Sequence, residues 1–204
     1  YLTSLSKKIF ISRKITNKIL NKNKNKIFQV GPILDKKIIN YVENKKDNNV
    51  FSILVIGGSQ GAEVFGKIIP EAIKKLNDKN FRIKINQQCV KGQQKEISNF
   101  YDNNNIKNYV FEFDQNILKL ILSSDIAITR CGASTTAELA HTLTPFVAIP
   151  LPSSIDNHQY LNAKYYERME CCWVMEQKNF NVNNLYNLIE NIINNKNKLE
   201  NIRQ

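Results

Sequence analysis

The stretch of this chain best suited to chemistry is a glycine-rich turn between an apolar run and an amphipathic one. Residues 57–62 read GGSQGA and directly follow the apolar run Phe51–Ile56. Backbone N–H groups of such a turn, and the positive end of the helix after it, favour a bound phosphate. The turn lacks the Gly-Lys-Ser/Thr of a Walker loop and the GxGxxG spacing of dinucleotide-binding proteins. A tight turn with glycines for packing is the structural alternative.

Two further segments place polar residues where predicted strands end. Residues 130–138 read RCGASTTAE, and we predict that Ser134 or Thr135 caps a helix with Glu138 near its first turn. A carboxylate there is favoured by the helix dipole, or it accepts hydrogen bonds from the two hydroxyls of a ribose. Residues 156–159 read DNHQ, which suits the hydroxyl groups of a sugar or a solvated helix start.

Strands alternate with helices from residue 51 onward. The predicted strands are Phe51–Ile56 and residues 81–85, 109–113, 125–129, 146–149 and 172–175. The predicted helices are residues 62–76, 92–101, 116–122, 134–141, 156–168 and 182–193. Several strands are apolar on both faces, which predicts an α/β fold whose parallel sheet is covered by helices on both sides. Because ligands bind beyond the carboxyl ends of such strands, residues 57–61, 130–138 and 150–159 should converge on one crevice.

Positive charge is concentrated in the first 46 residues. They hold 12 Lys and Arg residues against Asp35 and Glu43, whereas residues 47–204 hold 17 against 16. A basic segment suits an anionic membrane surface or nucleic acid, and a general bias toward Asn, Lys and Ile is the neutral explanation. No aromatic stripe accompanies the lysines, so we expect no nucleic-acid partner. No apolar run approaches the roughly 18–20 residues that cross a membrane.

The residue types give little support for metal or covalent chemistry. The four cysteines have no metal-ligand spacing and are expected to be reduced thiols: Cys89, Cys131, Cys171 and Cys172. The chain has two histidines, His141 and His158, and no Asp-x-Asp pair for a metal-bound diphosphate. We therefore expect no cofactor and no tightly bound metal.

The three segments together resemble the MurG family, the bacterial N-acetylglucosaminyltransferases that make lipid II from lipid I. That family carries GGSQGA, Arg-x-Gly-Ala followed by Glu, and Asp-Asn-His/Gln-Gln-x-x-Asn-Ala in this order; here they stand at residues 57–62, 130–138 and 156–163. The resemblance covers roughly residues 27–193. It implies a Rossmann-like domain, the carboxy-terminal half of a two-domain GT-B glycosyltransferase. Residues 1–46 would end the amino-terminal domain and form the linker, and residues 47–204 would bind the UDP-sugar donor.

The resemblance also implies a binding site for UDP-GlcNAc. The residues expected at its diphosphate and sugar are Gly58, Ser59, Gln60 and Gly61. The residues expected around the nucleotide are Phe113, Ile117, Arg130, Gly132, Ala133 and Glu138. Glu138 would bind the ribose, and the backbone of residues 113–117 would lie beside the uracil. Those expected at the N-acetylglucosamine are Asn157, His158 and Gln159.

The chain departs from the family pattern in two ways. Leu34 stands where the family's linker has an Arg beside the diphosphate, and the GGTGGH motif of the amino-terminal domain is absent. The catalytic base and the lipid I contacts would belong to that domain, so we expect this chain alone to bind donor but transfer negligibly. The resemblance implies a cytoplasmic location, peripheral on the inner face of the cell membrane.

Other functions fit the same residues. The chain would be the donor subunit of a split glycosyltransferase that needs an acceptor-domain partner, or a non-catalytic nucleotide-sugar-binding domain. A UDP-GlcNAc epimerase of similar architecture is a weaker rival.

Overall fold

A six-stranded parallel sheet forms the centre of the computed structural model, which describes residues 7–11, 24–32, 34, 38, 49–58 and 63–202. Strands β1 (Ile9–Ile11) and β2 (Ile27–Gln29) pair in parallel as a small second sheet. The main sheet comprises β3 (Phe51–Ile56), β4 (Ile83–Gln88), β5 (Lys107–Phe111), β6 (Ile126–Thr129), β7 (Phe146–Ala148) and β8 (Cys172–Val174). Its strand order is β5-β4-β3-β6-β7-β8.

Helices connect the strands of the main sheet. They are α1 (Glu63–Asp78), α2 (Gln94–Asn103), α3 (Ile117–Leu122), α4 (Ala133–His141), α5 (His158–Arg168), α6 (Val182–Asn194) and α7 (Lys196–Ile202). Short 3-10 turns are found at Lys24–Lys26, Ile155–Asn157 and Gln177–Asn179. Among these described helices, none is both long enough and apolar enough to cross a membrane.

Strand β3 explains why both faces of the sheet are covered. Its side chains alternate between two apolar clusters, because successive residues of a strand point to opposite faces. Ile53 and Val55 pack with residues of α1, α2 and α6, whereas Leu54 and Ile56 pack with residues of α3, α4 and α5. The predicted α/β fold, a parallel sheet between two layers of helices, is confirmed.

The chain crosses from one half of the sheet to the other between β3 and β6. It runs outward from β3 through β4 to β5, then returns to place β6 on the other side of β3. Consecutive crossovers therefore leave in opposite directions, and their loops separate at the carboxyl ends of β3 and β6. Such a switch point opens a crevice in α/β sheets.

Two strand predictions were displaced along the chain. Strand β4 was predicted at residues 81–85 and extends to Gln88, and β5 begins at Lys107 rather than at residue 109. The polar end of β4 resembles a loop in the sequence, but its backbone pairs with β3 and β5 on both sides. Within this polar end, Gln87 Oε1 accepts a hydrogen bond from Tyr101 Oη at 2.5 Å, whereas the buried amide nitrogens of Asn86 and Gln87 have no hydrogen-bond partner among the described residues.

The predicted helix starts at the two later segments were also wrong. Gly132 is the N-cap of α4, so neither Ser134 nor Thr135 caps it, and Glu138 lies in its second turn rather than near its first. Helix α5 begins at His158, because the two residues before it have left-handed φ angles of 49° and 53°. A left-handed pair interrupts the α-helical backbone, which moves the start two residues beyond the predicted one.

The layered core predicts a large difference between two equivalent substitutions. Phe146 is 0% exposed and its ring lies 5.9 Å from that of Tyr166, whereas Phe113 is 76% exposed. Phe146→Ala should lower the free energy of unfolding by about 3–5 kcal/mol, because it leaves a cavity. Phe113→Ala, the matched control, should change it by less than about 0.5 kcal/mol. Urea denaturation measures both, and similar losses would contradict this core.

Candidate functional site

A crevice of about 720 Å³ lies at the carboxyl ends of the parallel strands. This volume falls within the roughly 300–1,000 Å³ typical of small-molecule sites. The crevice is lined by Gly57, Gly58, Glu63, Val64, Lys67, Arg130, Gly132, Ala133, Ser134, Thr135, Leu151, Gln159 and Gln177. The predicted convergence of the segments after β3, β6 and β7 is confirmed.

The glycine turn is held in place by a glutamine of the neighbouring strand. Gln88, at the end of β4, accepts a hydrogen bond from the Gly57 N–H at 3.1 Å and donates one to the Glu112 carbonyl at 3.2 Å. Gly58 has a φ of +86°, which residues with a Cβ rarely adopt. Ser59, Gln60 and Gly61 lie outside the described residues.

Arg130 places a charged group in the crevice wall although only 7% of the residue is exposed. Its guanidinium donates to the carbonyls of Ile149 at 3.2 Å and Pro150 at 3.4 Å, and to Gln177 Oε1 at 2.6 Å. It also lies 4.9 Å from the centre of the Phe65 ring. Burial lowers the pKa of Arg130 from its ordinary value, yet an arginine stays protonated at neutral pH. Every one of these partners is uncharged.

Gln177 and the turn that carries it were missed in the sequence. The turn Gln177–Asn179 follows β8, and Phe180 anchors it by packing edge-on against Phe65, with ring centres 5.4 Å apart. Arg130 and Gln177 are 47 residues apart in the chain. A glutamine after a short strand carries no sequence signal of such a contact, so only the fold identifies it.

The segment after β6 presents the amino-terminal end of α4 to the crevice. The first N–H groups of a helix have no partner within it and carry partial positive charge. Gly132 has ordinary extended angles, φ −62° and ψ 146°, and a Cβ added there would meet nothing within 4 Å. Glycine at this position therefore leaves open space in the crevice rather than relieving backbone strain.

Gln159 fixes one side of the crevice through its amide oxygen. Its Oε1 accepts hydrogen bonds from the Cys131 and Leu151 N–H groups, both at 3.0 Å. It thereby links the loops that follow β6 and β7. Because the oxygen is occupied by backbone donors, the amide NH₂ group is left to donate toward the crevice, which Gln159 lines.

The remaining predicted site residues lie outside the described lining of the crevice. Phe113 is exposed on the loop after β5, Ile117 is half-buried at the start of α3, and Glu138 is half-buried on α4. His158 is exposed, with its Nδ1 2.7 Å from the Ile155 carbonyl oxygen. Asn157 lines an adjoining cavity of about 330 Å³ that shares Leu151 and Gln177 with the crevice.

The other charged groups of the described lining form an ion pair. Glu63 and Lys67, one helical turn apart on α1, are 2.5 Å apart at Oε1 and Nζ. This hydrogen bond lowers the pKa of Glu63 and raises that of Lys67, and both side chains are mostly exposed. Because the pair is neutral overall, Arg130 supplies the unbalanced positive charge of the described wall.

These features define an α/β domain of the kind in which ligands bind at a switch point between parallel strands. The glycosyltransferase family 28 C-terminal domain matches residues 52–204. The chain therefore belongs to glycosyltransferase family 28 and carries its C-terminal domain. The resemblance to the MurG family in the sequence motifs is confirmed.

Named relatives and a solved structure agree with this assignment. The chain is 37% identical over 196 residues to the UDP-N-acetylglucosamine--N-acetylmuramyl-(pentapeptide) pyrophosphoryl-undecaprenol N-acetylglucosamine transferase of Pelagibacter ubique, covering 96% of this chain and 55% of the relative. It is 39% identical over 207 residues to the same-named protein of Rickettsia bellii, covering 98% of this chain and 58% of the relative. It thus spans little more than half their length. Acinetobacter baumannii MurG shares the fold, with a TM-score of 0.78 at 22% identity over 99% of this chain and 56% of that one.

The buried cysteine between Arg130 and Gly132 should be chemically inert. Burial raises the pKa of Cys131 to about 12 and also raises that of the half-buried Cys171. At pH 8 we expect iodoacetamide to label Cys171 first and to leave Cys131 unlabelled until the protein unfolds. Mass spectrometry of labelled peptides checks the order of labelling, and early labelling of Cys131 would contradict it.

The same burial makes stability depend on pH. Because the folded state retains the Cys131 proton, the free energy of unfolding should fall as pH rises above an ordinary thiol pKa of about 8.5.

Proposed function

We propose that this chain is the donor-binding part of a glycosyltransferase that moves N-acetylglucosamine from UDP-GlcNAc to lipid I, forming lipid II in peptidoglycan biosynthesis. The observation that carries the proposal is the buried guanidinium of Arg130. It lies in the wall of a crevice at the strand ends, and its described partners are all uncharged. A buried charge is normally balanced by a partner, so an anionic ligand suits this wall.

The donor's diphosphate fits between Arg130 and the start of α4. Arginine recognises phosphate oxygens through paired N–H donors, and a helix start adds backbone N–H groups. Gly58 and Gly132 leave open space where a Cβ would otherwise stand. Ser59, Gln60 and Gly61 complete this subsite in the proposal. The same donors would stabilise UDP as it departs, because they are fixed in place before the reaction.

The N-acetylglucosamine fits beside Gln159. The bonds from Cys131 and Leu151 orient its NH₂ group, which suits a sugar hydroxyl or the acetamido carbonyl. Asn157 and His158 belong to the same segment and border the sugar in this proposal. Glu138 is proposed for the ribose hydroxyls.

The remaining contacts and the cellular setting extend this proposal. We take the identity of the sugar donor and of the acceptor from the names of the Pelagibacter and Rickettsia relatives. Residues 47–204 would form the donor domain, with residues 113–117 beside the uracil. Residues 1–46 would end an acceptor domain and form the linker to the donor domain. We place the assembled enzyme at the inner face of the cell membrane, where lipid I is available.

Calorimetric titration tests the proposed ligand. We expect UDP-GlcNAc and UDP to bind to the 204-residue chain and uridine to bind far more weakly, because uridine lacks the diphosphate that Arg130 would balance. ADP, with the same diphosphate but another base, should also bind weakly. Absence of UDP-GlcNAc binding would overturn the proposal, and equal binding of uridine and UDP would overturn the role of Arg130.

The proposed ribose contact predicts a loss of affinity on Glu138→Ala. Removing an acceptor from a hydrogen-bonded ligand typically costs about 1–3 kcal/mol, so the UDP-GlcNAc dissociation constant should rise by about five- to 150-fold. Glu71→Ala, at an exposed position of α1, is the matched control and should leave the constant unchanged. An unchanged constant for Glu138→Ala would remove Glu138 from the site.

Gly132→Ala separates a ligand contact from a structural role. The backbone angles suit alanine and the new methyl group meets no protein atom within 4 Å, so the free energy of unfolding should fall by about 1 kcal/mol or less, the cost of alanine at an N-cap. The methyl group would occupy space proposed for the diphosphate, so UDP-GlcNAc should bind about tenfold more weakly or worse. Glu71→Ala, at an exposed position of α1, is again the control and should leave the affinity unchanged. Full affinity in Gly132→Ala would refute close approach of the ligand here.

A further inference from the structure

We propose that Gln177 is a positioning residue that holds the Arg130 guanidinium in the crevice wall without neutralising its charge. This inference rests on the proposed function, because it concerns the diphosphate that Arg130 would bind. Neither the sequence motifs nor the family resemblance includes Gln177. The geometry around the guanidinium is what assigns the role.

Gln177 supplies the shortest contact of the Arg130 side chain. Its Oε1 lies 2.6 Å from Nη2, compared with 3.2 Å and 3.4 Å for the carbonyl oxygens that accept from Nη1. The two carbonyls belong to Ile149 and Pro150, at the end of β7, so Gln177 holds the opposite fork of the same guanidinium. Arg130 and Gln177 both line the crevice. The contact therefore sets where one fork of the guanidinium points.

The turn that carries Gln177 is itself fixed by packing. Phe180 is 5% exposed and its N–H donates to the Gln177 carbonyl at 3.1 Å. Its ring meets that of Phe65, and the Arg130 guanidinium also lies against the Phe65 ring, 4.9 Å from its centre. One phenylalanine of α1 thus supports both members of the Arg130–Gln177 pair.

The neutral side chain matters because a carboxylate would fit the same place. Glutamate has the shape of glutamine and would pair with the guanidinium as closely, and buried arginines are commonly paired this way. A carboxylate would balance the charge inside the protein and leave less for a ligand. Glu176, the preceding residue, has its Oε2 3.2 Å from Lys178 Nζ and lines the adjoining cavity rather than the crevice. The acidic neighbour is therefore engaged elsewhere, while the amide faces Arg130.

Four variants of the chain, titrated with UDP and with uridine, test this role. Gln177→Glu keeps the acceptor but adds a charge, whereas Gln177→Leu removes the acceptor and adds none. Gln177→Asp is a second, shorter carboxylate in case Gln177→Glu does not fold, as thermal melting would reveal. Asn179→Asp adds the same charge at an exposed position of the same turn and is the matched control.

We expect a selective loss of the phosphate-containing ligand. UDP should bind about tenfold more weakly or worse to Gln177→Glu and Gln177→Asp, while uridine binding stays within about twofold. Gln177→Leu should weaken UDP binding less than Gln177→Glu, because it leaves the Arg130 charge unbalanced. Asn179→Asp should match the unchanged chain for both ligands.

Three results would overturn the inference. One is a reversed order, in which Gln177→Leu loses more UDP affinity than Gln177→Glu, because that order indicates a hydrogen bond that only supports structure. Another is an equal loss of UDP and uridine in Gln177→Glu. The third is a loss of UDP affinity in Asn179→Asp as large as that in Gln177→Glu. Failure of the unchanged chain to bind UDP is a different outcome, which refutes the proposed function itself.

Discussion

The crevice depends on a buried positive charge that its described neighbours bind but do not neutralise. The Arg130 guanidinium donates hydrogen bonds to two backbone carbonyls and one amide oxygen, and it lies over one aromatic ring. Burying a cation without a counter-charge is unfavourable, and these four dipolar contacts offset part of that penalty. The neighbouring elements must therefore be placed accurately around one side chain, and the end of β7, the turn after β8 and helix α1 all meet there.

The sheet can place these elements accurately around Arg130 because its parallel strands end at the same edge. Thr129, the last residue of β6, is 0% exposed and its hydroxyl donates to the Ile56 carbonyl at 3.1 Å, tying the ends of β3 and β6 together. Gln88 ties the end of β3 to the loop after β5, and Gln159 ties the loops after β6 and β7. Hydrogen bonds between residues distant in sequence thus join successive strand ends, so the crevice is built on a rigid edge.

The sequence was sufficient for the parts of this arrangement that are local in the chain. The apolar run before GGSQGA predicted β3, and the alternation of strands and helices predicted the parallel sheet. The sequence was insufficient to predict the features that tertiary contacts determine. The polar end of β4 is a strand because two neighbours pair with it, and Gln177 matters because the fold brings it beside Arg130. Helix α5 starts late because of two left-handed residues, which no simple periodicity indicates.

The chemistry of the described wall suits one part of the proposed reaction better than the other. Arg130, the start of α4 and the amide of Gln159 all present donors, and Glu63, the one carboxylate in the described lining, is paired with Lys67. A wall of donors stabilises an anionic leaving group, whereas removing a proton from an acceptor hydroxyl requires a base within hydrogen-bonding reach. The described wall is suited to the first task, and in the proposed function the second task falls to a group outside this wall. Such a division keeps a base away from the diphosphate that the proposal places beside Arg130.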